Sequence, residues 1–312
     1  MLCRREFLSL SLSAAAAAAV PANKYRWAIS GQIMFGRNAD LDKIKLGAQQ
    51  AAKFHFEAIE PFTTNLSRFL DKPLVLKDVL DPLGLTFSSC SGGGDFVTPE
   101  GSKKTIENNL KLARDFLRPF GSKHLKVNIG GGGPRREEGT SLESLKATCA
   151  SLNELGKRVH EEAGMKFGFH PHLGSVIENE QETNYALEHT DPKYVGFVPD
   201  TAHLVLGRMD PVKMVRENWS RVVAIHIKDT DPKFRGGKVT PTKEETRNMQ
   251  SLYKTLGNGG VDFVAFFTLL KQKNYDYWVD LDFDAPGPGE GTVEENLANY
   301  TTYLQKTIKV WT

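Results

Sequence analysis

The chain has 312 residues, 40% of them hydrophobic and 25% charged, with 40 Lys and Arg against 38 Asp and Glu for a net charge of +2. That is enough for one large core or two small ones, and the balanced charge, with no basic block, zinc-finger spacing or basic–aromatic interleaving, argues against nucleic acid as a partner. Three cysteines, Cys3, Cys90 and Cys149, are too few for a disulfide framework, and the sequence leaves open whether the last two pair.

In chain order, residues 1–22 stand apart. MLCRREFLSLSLSAAAAAAV has a basic start with Arg4 and Arg5, an apolar stretch and a small-residue run, which is the layout of a signal peptide of the twin-arginine type with cleavage near Ala18 to Ala22. The stretch is short and mostly alanine, unlike the roughly 20 strongly apolar residues of a membrane anchor. The expectation is a periplasmic or secreted protein, handled by the twin-arginine export machinery and without a stable anchor. Residues 23–312 are expected to form a single domain.

The mature chain alternates short apolar runs with helical patterns. The runs are YRWAIS (25–30), HFEAIEPF (55–62), GLTFSS (84–89), HLKVNIG (124–130), MKFGFHPH (165–172), YVGFVPD (194–200), VVAIHIKD (222–229) and YDYWVDLD (275–282). Between them, ADLDKIKLGAQQAAKF is a helix that Asp40 can cap. KKTIENNLKLARDFLRPF carries a stripe of Ile106, Leu110, Leu112 and Phe116 near the 3.6-residue period. The segment from Thr140 opens on a Thr140/Glu143 capping box and stops at Gly164, and TVEENLANYTTYLQKTI opens the same way. Segment 64–80 is weaker because Pro73 interrupts it. Eight strands, each followed by helical material, give an α/β fold of the (β/α)8 TIM-barrel type. The glycine clusters SGGGDF and NIGGGGPRREEG then become loops over the mouth or turns.

In such a barrel, chemistry collects where the strands end. Strand two ends with Glu57 and Glu60, and strand five with His170 and His172. Strand six ends with Asp200 followed by His203, strand seven with His226, Lys228 and Asp229, and strand eight with Asp280, Asp282 and Asp284. With a period of two, His226 and Lys228 share one face, as do the three aspartates. A buried face of carboxylates is costly without cations or hydrogen bonds. The expected ligand set for one divalent ion is Asp200, His226 and Asp282 with one group from the HPH segment, and mixed nitrogen and oxygen donors suit Mn²⁺, Co²⁺, Fe²⁺ or Zn²⁺.

The segments PDTAHLVLGRMDP (199–211), VVAIHIKD and WVDLDFD, with HPHLG and LGNGGVDFVAFFTLL (256–270), resemble the xylose isomerase-like superfamily of sugar isomerases and epimerases, in particular its inosose dehydratase branch. The resemblance implies a Glu–Asp–His–Glu ligand set on strands five to eight. Asp200 and His226 match the middle two, Asp282 replaces the last glutamate, and His170 stands in the position of the first. His172 and Glu178 remain as alternatives to complete the set. It further implies proton chemistry on a non-phosphorylated sugar, keto-sugar or cyclitol through an enediolate-type intermediate. Lys228, His203, His172 and Glu60 are the candidate catalytic residues; Arg135 and Arg136 are candidates only for a phosphate. The loss of one carboxylate of the epimerase pair turns the balance toward elimination, so isomerase or epimerase and dehydratase both stand. The competing expectation is an exported carbohydrate-binding barrel without turnover; endonuclease IV-like chemistry would need more metal ligands and a basic face. Homodimerisation is left open.

Overall fold

The computed structural model describes residues 25–130, 139–283 and 291–311. The signal segment, Arg135, Arg136 and Asp284 lie outside the described residues. Its strands are β1 (Arg26–Ser30), β2 (Ala58–Glu60), β3 (Thr86–Phe87), β4 (Ser91–Gly94), β5 (His124–Ile129), β6 (Lys166–His170), β7 (Gly196–Phe197), β8 (Ile225–Ile227), β9 (Asp229–Thr230), β10 (Tyr253–Lys254) and β11 (Trp278–Leu281). One parallel sheet runs β3-β2-β1-β11-β8 and another β4-β5-β6-β7. Single parallel bridges, Phe62 to Ser91 on one side and Phe197 to Val222 and Asp200 to His226 on the other, join the two sheets into a ring. This is the eight-position TIM barrel, with the third position split between β3 and β4.

The period of two explains how the barrel fills. Trp27 and Ile29, Leu125 and Val127, Phe167 and Phe169, Ile225 and Ile227, and Val279 and Leu281 join the large core with the outer helices. The alternating residues point into the barrel. At its floor, Ala28, Ala58, Val198, Val223, Ala224 and Trp278 make a small apolar cluster of their own. One step further along the same strand faces the residues turn polar and stay buried: Glu60, Lys126, His170, Asp200, His226 and Asp280. An apolar plug below and a polar layer above set the site at the C-terminal ends of the strands.

The helices follow the local signals with some shifts. Asp40 caps Leu41–Lys53 by accepting from the Lys43 N–H at 2.9 Å. Thr292 and Glu295 form the expected reciprocal box before Val293–Tyr303. The cap of Leu142–Arg158 is Ser141 rather than Thr140, whose hydroxyl instead donates to the Val176 carbonyl at 2.7 Å. In segment 64–80 only Leu74–Leu80 is helical, starting directly after Pro73. The SGGG run is not a loop over the mouth but strand β4, where a side-chain carbon on Gly92 would sit 2.0 Å from Asn109 Oδ1. Cys90 and Cys149 are both buried and free. Among the described residues no helix is long and apolar enough to cross a membrane.

Candidate active site

The strand registers bring the site together. Asn128 lies opposite His170, Asp280 opposite His226, and Asp200 bridges to His226 on its other side. One donor atom from each of His170, Asp200, His226 and Asp282 falls within 4.8 Å of the others. Two ligands on opposite sides of one ion with bonds of about 2.0–2.2 Å stand about 4.0–4.4 Å apart, so small side-chain movements would let all four share an ion. His172 and Glu178 are not in this group. Glu178 accepts the Gly174 N–H at 2.8 Å and braces the turn after β6.

In two of the four residues the hydrogen bonds leave a buried donor atom unused. His170 donates from Nδ1 to the Val198 carbonyl at 3.2 Å, and its Nε2 is buried without a partner among the described residues. Asp200 spends Oδ1 on the His203 N–H at 2.8 Å, capping Thr201–Leu206, and leaves Oδ2 buried and unpartnered. His226 lies between two carboxylates, with Nε2 3.2 Å from Glu60 Oε2 and Nδ1 3.4 Å from Asp282 Oδ2. A buried lone pair and a buried carboxylate oxygen with no donor are costly as they stand, so the donor set fits a divalent cation.

Electrostatics follow from burial and from these neighbours. Burial, with the nearby Lys126 ammonium, holds His170 well below the usual imidazole range, so it is neutral and able to ligate. Burial likewise takes His172 down to about 4. His226 is also penalised by burial, yet the Glu60 charge and the bond to Asp282 overturn this and push it up to about 10. Asp200 is raised to about 6 by burial and the like charge of Asp282. For Asp282 burial acts upward, but Lys228 and His226 together hold it well below the carboxylate range.

Beside this group is a cavity of about 170 Å³ lined by Lys126, Asn128, His170, His172, Lys228, Asp282, Phe62, Met249, Gln250 and Tyr253. That is smaller than the roughly 300–1,000 Å³ of drug-sized sites and suits a small polar ligand. His172 donates from Nδ1 to the Leu173 carbonyl at 2.7 Å, which leaves its Nε2 lone pair available at the cavity. Its ring lies 3.7 Å from that of His203, which is itself 1% exposed and does not line the cavity. Lys228 Nζ stands 3.5 Å from Asp282 Oδ1 and 3.9 Å from the centre of the Tyr253 ring.

Two strand-end acids have other roles. Glu57 pairs with Arg26 at 3.3 Å on the exposed surface at the start of β2. Asp229 accepts the N–H groups of Thr230, Gly257, Gly259 and Val261 at 2.9–3.0 Å, tying down the LGNGG turn. A side chain on Gly259 would come within 2.2 Å of that carboxylate, which is why the turn carries glycine there. Lys126 was absent from the sequence-derived site, although His124, Lys126 and Asn128 alternate with the core residues Leu125, Val127 and Ile129. Met249, Gln250 and Tyr253 were also missed, since residues 231–256 show no periodic pattern.

Residues 48–303 match the family described as the xylose isomerase-like TIM barrel. Inosose dehydratase of Clostridium beijerinckii is 28% identical over 219 residues, covering 66% of this chain and 71% of that protein. Among solved structures, a probable 3-DHS dehydratase of Bacillus anthracis superposes with a TM-score of 0.70 at 14% identity, over 90% of this chain and 99% of that one. The IOLI protein, solved with a zinc atom, gives 0.70 at 16% identity over 92% and 99%. With the match spanning most of the ring and the helices around it, the chain belongs to the xylose isomerase-like TIM barrel family.

Proposed function

We propose that this protein is a divalent-metal-dependent dehydratase of a small, non-phosphorylated keto-cyclitol or keto-sugar, with His170, Asp200, His226 and Asp282 holding the ion. The observation that carries the reading is the four-donor group, in which His170 Nε2 and Asp200 Oδ2 are buried without partners beside a small polar cavity. The inosose dehydratase relatives support the reaction class, and the zinc in the IOLI protein supports a divalent metal. When bound, the ion would act as a Lewis acid on a substrate carbonyl and stabilise enolate charge.

The protein's own groups supply the rest. Neutral His172, its Nδ1–H fixed on Leu173, presents Nε2 to take the proton next to the carbonyl. The ring of His203 packs against it and keeps its plane. The Lys228 ammonium, positioned by Asp282 and Tyr253, faces the cavity as a donor to the leaving hydroxyl or the oxyanion. An imidazole base and an ammonium donor differ in charge and proton affinity. That asymmetry suits elimination better than the exchange between equivalent bases that epimerisation needs.

Export fits the same reading, because an exported enzyme meets few phosphorylated intermediates. We propose a periplasmic or secreted location on the strength of residues 1–22 alone.

The test is to incubate metal-loaded protein with keto-cyclitols and keto-sugars in D₂O and follow water loss by absorbance and isotope exchange by NMR. Conjugated product supports the dehydratase. Deuterium uptake with a new stereoisomer and no water loss makes the protein an epimerase instead. A bound metal and ligand without either change would leave a carbohydrate-binding barrel.

A further inference from the structure

Glu60 is the carboxylate on the opposite side of His226 from the four-donor group, and its surroundings are closed. It is 3% exposed and does not line the cavity. One oxygen faces His226 Nε2 at 3.2 Å; the other is 3.2 Å from Lys126 Nζ and accepts the Ser91 hydroxyl at 2.9 Å. Lys126 also donates to Ser91 Oγ at 2.8 Å, so lysine, serine and glutamate form a closed triangle. In the strand register Ser91 lies opposite Lys126, which makes the triangle part of the β4–β5 ladder rather than of a loop.

An imidazole has one lone pair to offer a cation, and which nitrogen offers it is set by the partner of the other. A carboxylate can only accept, so a neutral His226 between Glu60 and a bound ion must carry its proton on Nε2. We infer that Glu60 is a positioning residue: it takes the Nε2–H of His226 and thereby aims the Nδ1 lone pair at the site formed with His170, Asp200 and Asp282, while Lys126 and Ser91 hold Glu60 in place. This rests on the metal reading above, and it gives Glu60 a role other than proton transfer to substrate.

Glu60, His226 and one Asp280 oxygen also come within 4.8 Å of one another. A second cation there would need His226 to ligate through both nitrogens as an imidazolate, with the Lys126 ammonium already on Glu60. The geometry therefore favours one ion and one outer carboxylate.

The experiment measures cobalt affinity by competition with a chelator, and the visible spectrum of bound Co²⁺, for wild type, Glu60→Ala, Glu60→Gln and Lys126→Met. Loss of such an outer partner weakens metal binding about 10–100-fold, so Glu60→Ala is expected to lose that much and to shift the spectrum. Glu60→Gln keeps an acceptor without the charge and is expected to recover part of the loss, with Lys126→Met in between. A proton-transfer role predicts the opposite pattern: turnover abolished, with affinity and spectrum unchanged in Glu60→Ala and Glu60→Gln. That pattern overturns the inference and leaves the metal site standing. Wild type that binds no divalent ion overturns the metal reading and the inference with it. Should Glu60→Ala fail to fold, ¹⁵N NMR of zinc-loaded wild type decides: a proton on Nε2 of His226 supports the inference, and a proton on Nδ1 overturns it.

Discussion

Metal loading should expel protons, and the number is set by the site. In the metal-free protein His226 is pushed up to about 10, against an ordinary 6.5, so at pH 7 it carries protons on both nitrogens. The Nε2 proton faces Glu60 and can stay, whereas the Nδ1 proton lies on the line to Asp282 and occupies the place of an ion. Removing it at pH 7, three units below its pKa, costs about 4 kcal/mol at about 1.36 kcal/mol per unit. His170 is already neutral and adds nothing. Asp200, raised to about 6, is mostly ionised at pH 7 and mostly protonated at pH 5.5. The sign is therefore fixed: because both groups have raised pKa values in the metal-free fold, protons compete with the ion and affinity falls as pH falls. The expected release is about one proton per ion at pH 7, approaching two near pH 5.5. Apparent affinity should drop about tenfold per pH unit between pH 9 and 7 and more steeply below 6. Titration calorimetry in buffers of different ionisation enthalpy counts the protons directly. No release at pH 7, with affinity flat from pH 7 to 9, would refute the placement of the ion at His226 Nδ1.

The two histidines of HPH should separate cleanly. His170→Ala is expected to weaken metal binding beyond the about 10–100-fold typical of outer partners, whereas His172→Ala should keep the metal and lose about 10²–10⁴ in turnover as a missing base; elemental analysis beside kinetics checks both. Lys228→Met should also keep the metal and lower turnover about 10²–10³-fold, and unchanged turnover would remove Lys228 from the reaction. Asp229→Ala strands four backbone N–H groups, most of them buried, and at about 1 kcal/mol or more each should lower urea stability by about 3–5 kcal/mol. Its metal affinity should not change, since Asp229 faces the 257–261 turn and not the ion; a loss below about 1 kcal/mol would mean the turn holds without it.

The ring was legible because each strand carries its own pattern, and that pattern is local. His226 between Ile225 and Ile227 can only face inward if the isoleucines face the helices, and the same alternation points Asp280 and Asp282 inward beside it. The third barrel position was less legible, since its pairing passes from Thr86–Phe87 to the glycines of β4 and glycine has no side chain to alternate. Lys126 could have been read from HLKVNI by the same rule. A lysine in a strand ordinarily reads as solvent-facing, however, and its partners Glu60 and Ser91 are more than thirty residues away. Tyr253 and Gln250 reach the cavity from an irregular stretch held in part by the short β9–β10 pairing, and nothing periodic announces that geometry. Glu57 failed differently: it is three residues from Glu60, so it faces the other way and lies just before the start of a strand that is itself three residues long.

The charges inside the barrel bear on what the site stabilises. Among the described residues, four buried carboxylates inside the barrel, Glu60, Asp200, Asp280 and Asp282, face two buried ammonium groups, Lys126 and Lys228, which leaves an excess of negative charge. In the metal-free protein protons meet it, and the shifts of His226, Asp200 and Asp280 all run toward proton uptake. A divalent ion on our proposed ligands replaces the Nδ1 proton of His226 and, at lower pH, that of Asp200. It does not reach Asp280, whose two oxygens have no hydrogen-bond partner among the described residues and which burial, then the Glu60 charge, push well above the usual range. An unpartnered buried carboxylate is far costlier than its neutral acid, so burial favours the acid form of Asp280. The loaded site then holds three carboxylates against two ammonium groups and a doubly charged ion, one positive charge in surplus. A neutral ketone leaves that surplus uncompensated; when His172 takes a proton the new positive charge rests on its imidazolium, and the enolate oxygen would be the negative charge set against the ion. A barrel that only bound carbohydrate would gain nothing from a surplus it must keep buried, whereas one that lowers the barrier to an anion uses it in the transition state.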